Sequence, residues 1–288
     1  MLNSRDRTTV GSQDWDKSEG VVRFAFQNIN SLGFDKERKK DMLLYTFLKD
    51  WEVDFGGIAE TNICWQKIGP KQRFWDRTKV WFDNRSVNVA NNVNEPLIST
   101  RCQPGGVASL AVDRLATKVD TSGQDPSGLG RWIWTRFVGK NGRMLRVFTV
   151  YRPCITTGGN SCYVQHVRHY VKNTENCDPR SALMADLRED VLKGCAAGDS
   201  IIIMGDFNAD VRGEEFTAWK EGLELRDVMV EAVGIENAPR TYARGSNPID
   251  TILTSANVHI AKAAYLPFGE GVGDHRPLMI DVVENSVF

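Results

Sequence analysis

The sequence predicts an α/β (α+β) fold with two mixed β-sheets face to face and helices on their outer sides. Three observations carry that prediction. Short apolar and β-branched runs at 21–27, 53–59, 106–112, 132–138, 144–151, 200–205, 248–254 and 276–283 read as strands. Fewer segments show helical spacing between them, and facing sheets with outer helices account for that mixture. With 288 residues and 41% hydrophobic content, the chain can bury a substantial core.

Residues 1–20 are polar and mixed in charge, and read as a disordered leader ahead of a single domain at 21–285. The strand at 21–27 runs out into Asn28 and Asn30. In extended chain residues two apart point to the same side, so both amides face one way. Turn formation explains them equally well, because the stretch through Gly33 is rich in turn formers. Residues 35–50 form an amphipathic helix, with Met42, Leu43, Tyr45, Phe47 and Leu48 apolar among charges. The run at 53–59 leads to Glu60, which reads either as an oxygen ligand or as a carboxylate at a helix start. Residues 83–104, rich in Asn and Ser, read as a surface insertion, and the Gly/Pro-rich stretch 121–130 as a loop. A second helix is expected over 181–196, where Leu183, Leu187, Val191 and Leu192 recur at helical spacing.

The most informative run is Ile201-Ile-Ile-Met-Gly-Asp-Phe-Asn208. It is a buried strand that presents Asp206 and Asn208 together at its carboxyl end. Asp250 interrupts the strand-like run 248–254, where a carboxylate is costly to bury without a partner. Asp274 and His275 stand side by side after two glycines. Of the four histidines, only His275 has an acidic neighbour and a glycine-rich approach. A carboxylate there can hold a hard cation, and the imidazole can move a proton near neutrality. Asp250 is the natural residue to fix the imidazole tautomer. Singly, each of these positions also has an ordinary turn or edge-strand explanation.

Composition narrows the field. The six cysteines form no Cys-x-x-Cys pair and no zinc spacing, so free thiols in a reducing, intracellular compartment are expected. No apolar segment follows Met1 and no run approaches a membrane span, so neither secretion nor membrane association is expected. A net charge of −1 gives no global attraction to polyanions. One basic stretch interleaves Lys67, Lys71, Arg73, Arg77 and Lys79 with Trp65, Phe74, Trp75 and Trp81. It reads as a backbone-tracking nucleic-acid surface or as a helix with aromatics in the core.

Six segments taken in order, Gln27–Asn30, Ala59–Thr61, Val150–Pro153, Gly205–Asn208, Ile249–Asp250 and Gly273–Pro277, resemble the endonuclease/exonuclease/phosphatase superfamily. The resemblance spans residues 21 to about 284. Within the superfamily, Asn28–Leu32, Gly205–Asn208, Asp274–Pro277 and Thr241-Tyr242 look like endonuclease domains of non-LTR (LINE-like) retroelements. Abasic-site endonucleases are also similar.

The resemblance implies a four-layered αββα sandwich and a Mg²⁺-dependent phosphodiesterase, with Mn²⁺ able to substitute. Glu60 would be the main metal ligand, with Asn30 and Asp274 nearby; members often carry Asp where this chain has Asn30. Catalytic roles fall to Asp206, Asn208, His275, Asp250, Tyr151 and Asn28, with either His275 or Asp206 as the base. Arg152, Arg276 and Thr241 would contact substrate. The implied reaction is nicking of DNA to leave 3′-hydroxyl and 5′-phosphate ends, with a reverse transcriptase domain a potential neighbour in one polyprotein. A phosphatase or lipid phosphodiesterase, or an inactive nucleic-acid-binding module, are the alternatives.

Overall fold

The computed structural model describes residues 4–33, 39–95, 101–175 and 177–288. Its strands are β1 (Val10–Gly11), β2 (Val21–Asn28), β3 (Phe55–Ala59), β4 (Arg85–Ala90), β5 (Val107–Val112), β6 (Val119–Gln124) and β7 (Trp132–Val138), followed by β8 (Met144–Tyr151), β9 (Ser200–Asp206), β10 (Leu225–Asp227), β11 (Asp250–Ser255), β12 (Ile260–Tyr265) and β13 (Leu278–Val283). They form two sheets, ordered β1-β12-β13-β2-β3-β5-β4 and β10-β11-β9-β8-β7-β6. Each sheet has one parallel pair, β2 with β3 and β8 with β9, among antiparallel neighbours.

Every residue of β9 is buried, as a strand covered on both faces must be. One core lies between the sheets, where Phe24, Phe26 and Phe55 meet Val147, Ile202, Met204 and Ile252. Outside the first sheet, helix α1 (Lys39–Asp50) packs Leu44, Phe47 and Leu48 against Ala25, Ile58 and Met279. After the short helices α2 (Phe74–Thr78) and α3 (Asp113–Ala116), α4 (Cys162–Lys172) and α5 (Pro179–Ala196) complete the fourth layer. On α5, Leu183, Leu187 and Val191 pack against Phe148, Ile201 and Ile203. Asp178 caps that helix by accepting from the Ser181 amide at 2.9 Å, and Pro179 starts it. Burial of each such aliphatic side chain contributes roughly 1.5–3 kcal/mol. The four-layered sandwich is therefore as the sequence implied.

Several local expectations are corrected. Residues 4–20 are not a disordered leader: β1 pairs with β12, and Asp6 is buried against Arg240 at 2.7 Å. Its polar composition misled because isolated contacts fasten it rather than a continuous apolar face: the buried Asp6, the packed side chains of Val10 and Trp15, and the Lys17–Asp54 pair. The first three residues lie outside the described part, as do 34–38 and 96–100. The presumed insertion 83–104 contains β4, whose mixed burial suits an edge strand. The presumed loop 121–130 is strand as far as Gln124, where β6 carries mostly exposed residues on the opposite sheet's edge. On α1, Met42 and Leu43 are exposed and Leu44 is buried, so the apolar face lies one residue on. Leu192 of α5 is likewise exposed. No helix among the described residues is long and apolar enough to cross a membrane.

Candidate active site

The exits of four strands, the start of β11 and the turn before β13 meet at one end of the sandwich. Register fixes this. Asn28 is level with Ala59, so Glu60 follows beside it; Asp206 is level with both Tyr151 and Asp250. Asn30, Glu60 and Asn208 all have left-handed backbone, with φ of 45°, 53° and 47°. Such conformations are uncommon outside glycine and gather at functional sites. The Asp274-His275 turn packs so tightly that a Cβ on Gly273 would lie 2.3 Å from the Asn28 carbonyl oxygen.

At the centre, the Asn28 Nδ2 donates to Asp206 Oδ2 at 2.8 Å, and the Asn208 amide donates to Asp206 Oδ1 at 2.9 Å. The Asn208 side chain ties the Arg152 carbonyl at 2.7 Å and also reaches Asp206 at 3.3 Å. His275 Nδ1 meets Asp250 Oδ2 at 2.8 Å. The Tyr242 ring lies 4.9 Å from the His275 ring, centroid to centroid, and Gln27 donates to the His275 carbonyl at 2.8 Å. Thr241 is buried; its hydroxyl accepts from the amides of Ile249 and Asp250 at 2.9 and 3.1 Å. It therefore positions Asp250 from behind.

Two carboxylates and one imidazole are thus buried together, and Asp250 Oδ1 has no hydrogen-bond partner among the described residues. Burial, then the charge of Asp250, pushes the Asp206 carboxyl up to about 8. Burial opposes protonation of His275, but Asp250 and then Asp206 outweigh it and raise the imidazole to about 10. Tyr151 is raised well above the ordinary phenol range by burial and then by Glu60, with which its hydroxyl forms a hydrogen bond. At neutral pH the cluster therefore holds a protonated imidazole, with a carboxyl beside it close to its own titration.

The half-buried carboxylates of Glu60 and Asp274 form a separate acidic rim. Lys40, from α1, donates to the carbonyls of Ile29 and Asn30 at 2.8 and 2.5 Å. Burial lowers its pKa, while Asp274 and Glu60 pull the other way, so the ammonium feels both carboxylates. An all-oxygen, partly open rim that already draws a cation fits a hydrated hard divalent ion. Glu60, Asp274 and Asn30 are the residues that would hold it. The ligand atoms of Asp206, Asp250 and His275 also lie within 4.8 Å of one another. There, however, His275 Nδ1 and Asp250 Oδ2 already bind each other and all three residues are buried, which suits proton handling better than a hydrated ion.

The other sequence-predicted positions divide. Arg152 is buried at the rim of the Asp206–Asn208 turn. Arg276 faces the other way: it donates to the carbonyls of Thr8 and Leu266 at 3.1 and 2.9 Å and lies near Asp6, so its expected contact with substrate is corrected to a fold-binding role. In the basic stretch, Arg77 is buried against Asp41, and Trp65 and Phe74 pack in the core, so the core-packed helix reading holds for those residues. Lys40, Gln27, Tyr242 and Arg244 escaped the sequence reading. Arg244 stacks on Tyr242 and pairs with Asp274 at 3.4 Å. Gln27 and Tyr242 had local signals, in the Gln27–Asn30 segment and the Thr-aromatic pair.

Fold and site together define a layered hydrolase scaffold with a buried carboxylate–imidazole centre. The chain belongs to the endonuclease/exonuclease/phosphatase family, whose model matches residues 65–275. Members of that family are typically metal-dependent hydrolases of phosphodiester or phosphate bonds. The fold is similar to the human Nocturnin catalytic domain, with a TM-score of 0.64 and 16% identity over 96% of this chain and 97% of that one. An AP endonuclease from Archaeoglobus fulgidus gives 0.61 and 16%, over 90% and 98%. The endonuclease domain of TRAS1, a telomere-specific non-LTR retrotransposon, gives 0.52 and 12%, over 92% and 99%. A search of curated proteins finds no match.

Proposed function

We propose that this protein is a Mg²⁺-dependent DNA endonuclease that nicks one strand to leave 3′-hydroxyl and 5′-phosphate ends. The observation that carries the reading is the buried cluster itself. His275 is raised to about 10 beside Asp250, and Asp206 to about 8, held by Asn28 and Asn208. A base works best when its pKa lies near the working pH, which favours Asp206 over His275 for that role. Asp206 takes a proton from water, the water oxygen attacks phosphorus, and the bond from phosphorus to the 3′ oxygen breaks. His275 stays cationic and offers its other ring nitrogen to a phosphoryl oxygen, where charge grows in the transition state. Asp250 stabilises the imidazolium and holds its orientation, and Thr241 holds Asp250. Asn28 and Asn208 keep Asp206 aligned, while Tyr151 stays neutral and donates to Glu60, orienting that carboxylate. A divalent ion bound at Glu60, Asp274 and Asn30 would supply positive charge to the phosphoryl and leaving oxygens.

The retroelement-like sequence phrases support DNA over a phosphomonoester or lipid, while the structural relatives include a mannosyl-6-phosphatase as well as nucleic-acid-acting enzymes. The test is nicking of supercoiled plasmid with Mg²⁺, with EDTA, and by Glu60→Ala. Nicking that needs metal and is lost in the folded variant is expected. Folded wild-type protein that leaves plasmid intact, yet hydrolyses inositol phosphates or sphingomyelin, would overturn the DNA reading.

A further inference from the structure

Arg152 lies beside the catalytic turn without being used by it. The Asn208 side chain holds its carbonyl, and its amide donates to the Asp206 carbonyl at 2.8 Å. Its side chain runs the other way. The residue is only 6% exposed, and its Nε is buried with no hydrogen-bond partner among the described residues. A buried guanidinium without a paired carboxylate is costly, because nothing replaces the lost water. Burial, and then the nearby Arg180, lower its pKa to about 10, so at neutral pH it still carries its charge.

A cavity of about 320 Å³ opens at this guanidinium, with Met184, Phe216 and Trp219 as its apolar wall. Helix α6 (Glu214–Glu221) begins at its mouth. Gly213 caps that helix with no side chain, which leaves first-turn amides for a ligand. Asp210, Glu214 and Glu215 also line the cavity, and the charges of Glu215 and Asp178 reach Arg152, but among the described residues no carboxylate forms an ion pair with it. Asp210 is already bound to Arg212 at 2.8 Å, and Glu214 and Glu215 are exposed in the first turn of the helix. Arg180 adds a second cation, held by its bond to the Asn208 carbonyl at 2.7 Å. A charged fork, free helix amides and an apolar wall are chemistry for a phosphate ester rather than for a bare hydrophobe.

We propose that this cavity is a second phosphate subsite, in which Arg152 and the amino end of α6 hold a phosphate of the substrate strand other than the scissile one. The strand assignment rests on the nuclease reading above; the anion site itself does not. The subsite explains why an unpaired cation is kept one peptide from the catalytic carboxylate. It would anchor the strand through a contact that carries no base information.

The experiment has two arms. In the first, inorganic phosphate is titrated into the metal-free full chain at constant ionic strength and followed by calorimetry. Saturable binding is expected, weakened about tenfold or more in Arg152→Met, with Arg152→Lys between the two because it keeps charge without the fork. In the second, kcat/KM for DNA should fall about tenfold in Arg152→Met, through KM, and at least about fivefold more than for bis(p-nitrophenyl) phosphate, which has no second phosphate. Wild-type phosphate affinity in Arg152→Met would overturn the site. Should that variant unfold by circular dichroism, Arg152→Lys decides, and wild-type affinity in it counts against the site. Weakened phosphate binding with an unchanged KM for DNA would mean free phosphate is the occupant and sink the strand assignment. If wild-type protein cleaves no phosphodiester, the nuclease reading and the strand assignment fall together, and the phosphate titration still decides the anion site.

Discussion

Buried charge clusters do two opposite things in this molecule. Between β2 and β13, Arg23 grips Asp281 through two hydrogen bonds of 2.7 and 2.8 Å and spends another donor on the Trp51 carbonyl. Arg131 and Asp125 repeat the arrangement beside β7. Arg23 meets one carboxylate, Arg131 also reaches the partly exposed Asp186 at 2.8 Å, and in both clusters every buried carboxylate faces a guanidinium at hydrogen-bond distance. At the mouth of the sandwich, Asp206 and Asp250 share a single imidazole, and one oxygen of Asp250 has no hydrogen-bond partner among the described residues. Matched charges in a low-dielectric interior hold the fold. Mismatched ones raise proton affinity towards neutrality, and that is where chemistry becomes available.

The comparison is broken most severely by removing the mismatch. Asp206→Asn keeps size and loses the base, so kcat should drop about 10³-fold while the variant still folds. Wild-type kcat/KM should rise with pH through neutrality towards about 8, because Asp206, pushed up by burial and Asp250, acts only once it has lost its proton. A variant cutting at near wild-type rate, or a profile already flat at pH 5, would remove Asp206 from the role of base. The matched cluster should respond in the other currency. Asp281→Ala strands the Arg23 guanidinium and should cost about 3–5 kcal/mol of stability in a denaturant titration. The remaining folded protein should keep its kcat. Lost turnover with unchanged stability would show that Arg23 and Asp281 belong to the chemistry after all.

How much of this was legible in the sequence follows from the same physics. The strand exits were readable because a buried apolar run that ends in Asp206, or is interrupted at Asp250, violates the cost of burying charge. Edge strands β4 and β6 were not, because an edge exposes one side and needs no apolar run. Arg276 and Arg152 look alike in sequence, each one residue past a site position. Both line cavities, yet the Arg276 guanidinium is tied to the carbonyls of Thr8 and Leu266 beside Asp6, on the side away from Asp206, while Arg152 opens beside the Asp206–Asn208 turn. Lys40 gave no signal at all, since a lysine in a charged helix is the ordinary case. Only the tertiary path of α1 brings it to the acidic rim.

Lys40 supplies the smallest and sharpest test. Its ammonium is drawn by Glu60 and Asp274, the residues that would hold the metal, so bound metal and Lys40 compete for one negative field. Lys40→Met removes that competitor. The Mg²⁺ concentration for half-maximal nicking should then fall by about threefold at low salt, and the difference should shrink as salt screens the field. The opposite result has an equally definite meaning. Lys40 also ties the carbonyls of Ile29 and Asn30, so a rise in the Mg²⁺ requirement, insensitive to salt, would make it a brace that shapes the Asn30 turn. Charge competition weakens with salt and hydrogen-bonded bracing does not, so one titration at two ionic strengths separates them.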